Sequence, residues 1–148
     1  MKKINFLALS IVFIGLITLS SCSKEKKIEK NLWKKGGEWN IESRTGKQTS
    51  IFAFNNFDGT QVNVGTYTFY KDGTGSYKHN AELLSGAFTY SNTENKLTIV
   101  MENVSRAYEI VEWKKNSLKI SYSYNFYEGA ANGDSTGKHT ETIILKKN

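Results

Sequence analysis

In the run SLKISYSYNF, Leu118, Ile120, Tyr122, Tyr124 and Phe126 alternate with Ser117, Lys119, Ser121, Ser123 and Asn125. Successive side chains of an extended strand point to opposite faces, so this period of two predicts one apolar and one wet face. At about 3.3 Å per residue the strand is about 33 Å long.

Shorter runs repeat the pattern. They are GTYTFY with Tyr67 and Phe69, AFTYS with Phe88 and Tyr90, KLTIVM with Leu97, Ile99 and Met101, RAYEIVEW with Tyr108 and Ile110, and TETIILK with Ile143 and Leu145. Glu38 to Ser43 and Ser50 to Phe54 bring the count to eight or nine. Lys71-Asp72-Gly73-Thr74 is a hairpin signal, because glycine tolerates the positive φ of a primed turn. Ser91 to Asn95, Lys114 to Ser117 and Glu128 to Lys138 are polar connections. No segment keeps a helical period for three turns, and the chain has no proline. Short links make consecutive strands antiparallel neighbours, so the expected fold class is all-β, an up-and-down antiparallel meander of about eight strands closing into a barrel.

The N-terminus is organised differently. Lys2 and Lys3 precede an apolar run from Ile4 to Leu19, followed by Ser20, Ser21 and the single cysteine, Cys22. This is the layout of a secretory signal peptide, and the run is shorter than the roughly 20 apolar residues of a membrane-spanning helix. Leu19-Ser20-Ser21-Cys22 resembles the lipobox of bacterial lipoproteins. The resemblance implies a signal peptide over residues 1–21, lipidation of Cys22 with three acyl chains, and stable anchoring, since one chain alone gives marginal membrane residence. Ser23 is not the Asp that usually retains such proteins at the inner membrane, so the resemblance implies the outer membrane of a Gram-negative cell envelope, its periplasmic or surface side left open.

The net charge of +6 is carried by the N-terminal part. Ser23 to Lys35 holds six lysines against two glutamates, whereas Gly36 to Asn148 holds twelve basic and twelve acidic residues. A neutral domain has no electrostatic footprint for phosphates, so no nucleic-acid partner is expected. Residues 22–35 are expected to be the lipidated cysteine and a solvated basic tether near anionic headgroups, with a surface-export tag as the other reading. Residues 36–148 are expected to be one domain, monomeric, with a single core.

Gly37-Glu38-Trp39 looks like the G-x-W that opens the first strand of lipocalins. The order GEWNIES, TYTFYKDGTGSY, GAFTYSNTENKLTI, YEIVEWKKNSLKISY resembles the lipocalin-like domain of small Gram-negative lipoproteins. The likeness implies a lipocalin-like barrel with Trp39 as structural filler at one end. Lipocalins pack a late arginine on that tryptophan, and here the nearest counterpart is Lys146. The inward aromatics Tyr67, Phe69, Phe88, Tyr90, Tyr108, Tyr122 and Tyr124 either pack the core or line a ligand cavity, because a buried tyrosine hydroxyl needs a partner.

Catalytic chemistry is not legible. His79 and His139 sit in polar, turn-like contexts, and GxSxG, HExxH, phosphate-loop and CxxC patterns are absent. Glu109 and Glu112 are expected on opposite faces of their strand. No enzyme activity, cofactor or metal is expected. Two functions remain: an anchored binding module for a small, largely apolar ligand, and a protein-interaction or inhibitor module that meets an envelope partner through loops such as EGAANGDSTGK.

Overall fold

The computed structural model describes residues 23–50, 57–80, 84–127 and 137–147. The expected signal peptide, Cys22, all but the first residue of the strand expected over Ser50 to Phe54 and most of the loop expected over 128–138 lie outside the described residues.

The first described element corrects the expectation of a solvated tether. Lys24–Trp33 form a helix, α1, whose N-cap is Ser23, its Oγ accepting from the Lys26 amide at 3.3 Å. Glu25 in the first turn and Lys30 in the last complement the helix dipole. Ile28 and Leu32 stand four apart on one face and are 0% and 1% exposed, so the lysines form the wet side of an element that is part of the domain. The segment is too short for three turns of periodicity, and its two apolar residues are outnumbered by lysines; only the barrel end they cover reveals their role. Asn31 and Asn92 fasten it: Asn31 Nδ2 donates to the Lys115 carbonyl, and Asn92 Nδ2 to the Glu25 carbonyl.

A turn of 3-10 helix, Lys34–Gly36, leads to eight strands: β1 (Glu38–Ser50), β2 (Phe57–Phe69), β3 (Thr74–His79), β4 (Ser85–Asn92), β5 (Lys96–Met101), β6 (Val104–Lys114), β7 (Ser117–Phe126) and β8 (Gly137–Lys147). Each pairs antiparallel with the next, and β8 pairs with β1 to close the barrel. This is the all-β meander that the alternation predicts. Closure removes both sheet edges. The β2–β3 turn differs from the expected primed type. Tyr70 pairs with Thr74 around a three-residue loop in which only Gly73 has positive φ, at 83°, and Asp72 Oδ1 accepts from the Thr74 amide and hydroxyl. The two-residue primed turn lies elsewhere, at Glu102 and Asn103, with φ of 48° and 67°.

The two ends of the barrel differ. Trp39, Phe69, Leu97, Leu118 and Leu145 fill one end and meet Ile28 and Leu32 of α1. Phe69, Phe88 and Tyr90 pack edge to face, with Phe69 centroids 5.3 Å from Phe88 and 5.0 Å from Tyr90. Trp39 Nε1 donates to the Leu32 carbonyl at 2.9 Å, so the helix closes the base and also satisfies the one polar atom of its largest side chain. The cation over the Trp39 ring is Lys147, 5.0 Å from its centroid, and it donates to the Asn31 carbonyl. Lys146, the expected counterpart, lies on the outer face near Glu42, because inward side chains of β8 fall at odd positions.

Two bulges shift parity. Between Ile41 and Ser43 the register of β1 slips against both neighbours, so Trp39 and Ile41 point inward and, beyond the slip, Arg44 does too. Between Ile110 and Glu112 the same happens in β6. Glu109 and Glu112, opposite Ser121 and Lys119, therefore share the outer face, which corrects the expectation that they part.

Candidate functional site

Above the packed base the barrel holds a cavity of about 180 Å³. Its apolar wall is Ile41, Val64, Ile99, Met101 and Ile143; its polar wall is Arg44, Arg106, Tyr67, Tyr77 and Tyr108, with Lys78, His79 and Leu84 completing the lining. The volume exceeds the roughly 150 Å³ of a cavity able to hold benzene. A second hollow of about 280 Å³, bounded by Gly46, Gly59, Gln61, His139 and Glu141, shares Arg44 with the first.

The charges are unequal. Arg44 Nε donates to Glu141 Oε1, whose side chain is 5% exposed. This pairing, against the opposing effect of burial, leaves the Arg44 guanidinium more firmly protonated than usual. Arg106, inward on β6 opposite Ile99, has no ion pair among the described residues. Tyr67 and Tyr108 stand between the arginines. Burial pushes the Tyr67 phenol up to about 12, against the opposing pull of Arg44, and pushes Tyr108 higher still, reinforced by Glu141. Both are neutral donors near pH 7.

The structure divides the seven aromatic candidates. Tyr67 and Tyr108 line the cavity. Phe69 and Phe88 are core, 1% and 3% exposed, and Tyr90 joins them with its hydroxyl spent on the Tyr70 carbonyl at 2.6 Å. Tyr122 packs on Tyr108, centroids 5.6 Å apart, and Tyr124 is 45% exposed beside His139, at 5.2 Å. Trp39 is wholly buried. The histidines are not loop residues: His79 ends β3 in the cavity lining, and His139 lies within β8 opposite Gln48. The polar GKHT looks like a turn, but β1 continues to Ser50 and pairs with all of it.

Arg44, Arg106, Glu141 and Tyr77 were not legible as site residues. Arg106 is two before Tyr108 and so shares its face, a signal that alternation carries. Arg44 requires the bulge. Among the described residues no group of three or more His, Cys, Asp or Glu side chains could hold a metal ion. No family model, curated protein or solved structure matches this chain.

Proposed function

We propose that this chain is an outer-membrane lipoprotein whose lipocalin-like barrel is a non-catalytic binding module for a small, largely apolar ligand, anchored through acylated Cys22. The observation that carries the reading is the cavity: one barrel end is closed by aromatic packing and α1, while the other half keeps about 180 Å³ of space with convergent polar groups. Leu19-Ser20-Ser21-Cys22 and Gly37-Glu38-Trp39 support the anchor and the barrel type. Glu141, the buried carboxylate among the described residues, is ion-paired with Arg44.

Native mass spectrometry of the protein purified from its host in detergent tests this. A retained small molecule, lost when Tyr108 is replaced by Trp to fill the cavity, is the expected result. A barrel that carries no small molecule and takes up no apolar probe would overturn it.

A further inference from the structure

The polar wall of the cavity is one-sided. Arg106 offers guanidinium donors, Tyr67 and Tyr108 offer hydroxyls held neutral near pH 7, and the Glu141 carboxylate is taken by Arg44. A ligand entering between them meets donors and the Arg106 guanidinium, which has no ion pair among the described residues, while Lys78, next to the inward Tyr77, is exposed at the rim. Between these polar groups, Ile41, Val64, Ile99 and Ile143 line the rest of the cavity and accept only apolar surface.

We propose that the cavity takes a compact amphipathic monocarboxylate, its carboxylate on the Arg106 guanidinium and the Tyr67 and Tyr108 hydroxyls, its apolar body against the isoleucines. This rests on the binding-module reading and adds the ligand's chemical class. The guanidinium fork matches a carboxylate's two oxygens, and a charge-assisted bond is about twice as strong as a neutral one. A dianionic phosphate fits less well, because the second arginine is committed to Glu141. A neutral ligand leaves Arg106 without an anionic partner. The cavity volume limits the occupant to an aromatic ring or short branched chain beside the carboxylate.

The test uses the full chain in detergent, with equilibrium dialysis of radiolabelled phenylacetate and its near-isostere 2-phenylethanol, corrected for detergent alone. Wild type binds phenylacetate about tenfold more tightly than the alcohol. Arg106→Gln abolishes that preference while alcohol binding stays, Arg106→Lys keeps part of it, and Glu109→Gln on the outer face changes neither. Equal binding of the two ligands by wild type, or a preference that survives Arg106→Gln, overturns the carboxylate assignment and leaves the binding module standing. Failure of folded wild type to bind either ligand overturns the carboxylate assignment, and together with a barrel that retains no small molecule on native mass spectrometry it overturns the binding module as well.

Discussion

Arg44 on β1 and Glu141 on β8 lie 97 positions apart in the chain and form an ion pair inside the barrel seam, between the two hollows. Their exposures differ, 44% for the arginine side chain against 5% for the glutamate. Arg44 can reach water alone and Glu141 cannot. Arg44→Met should therefore destabilise the fold by about 3 kcal/mol, as an unpaired buried carboxylate does, and Glu141→Gln by about 1 kcal/mol. Urea unfolding of both variants and of the double variant checks this. The double variant should be more stable than Arg44→Met.

The helix is a second test. Leu32→Ala removes a side chain 1% exposed and should cost about 2 to 4 kcal/mol. A chain beginning at Gly36 loses Ile28, Leu32 and the carbonyl that accepts from Trp39, so it should unfold at lower urea than one beginning at Ser23. Equal unfolding midpoints would show that α1 adds nothing to the barrel.

Gly36 and Gly37 both have positive φ, 85° and 69°, but their surroundings differ. A Cβ on Gly36 meets nothing within 4 Å, whereas one on Gly37 would lie 2.0 Å from the Phe69 carbonyl oxygen. Alanine at Gly36 should cost about 1 kcal/mol from backbone conformation alone. At Gly37 the cost should be at least twice that, because the β1–β2 pairing must shift; thermal melts of the two variants decide it.

The tyrosines should separate by role. Tyr90→Phe forfeits the bond to the Tyr70 carbonyl and should cost about 1 kcal/mol. Tyr108→Phe removes a hydroxyl from the cavity lining and should cost less than half of that, while weakening phenylacetate binding. Denaturant melts and dialysis on the same samples provide the comparison.

High pH should unfold the barrel through the same phenols. The folded state holds the Tyr67 proton up to about 12, whereas an unfolded tyrosine releases it near pH 10. The unfolded chain then binds fewer protons, so stability is complete below about pH 10 and falls as pH rises toward 12. Tyr67→Phe should lose about 1 kcal/mol less than wild type on going from neutral pH to about pH 11. Parallel curves for the two proteins would refute the role of Tyr67.

Alternation alone determined the fold class, because a period of two commits each strand to one buried face and short polar links leave antiparallel pairing as the only economical connection. SLKISYSYNF became β7 over the range its pattern marks, with Leu118 and Ile120 wholly buried. Local pattern could not say which inward tyrosine packs and which lines a space, since Tyr90 and Tyr108 look alike in sequence and differ in what stands opposite them. Tertiary structure also decided the charge of the cavity. A bulge between Ile41 and Ser43 reverses the parity of β1 and turns Arg44 inward, a change that comes from strand register across the closed seam. The role of α1 was decided the same way: Ile28 and Leu32 are two apolar residues among lysines until the packed base of a barrel lies beneath them, and burial is a property of that contact.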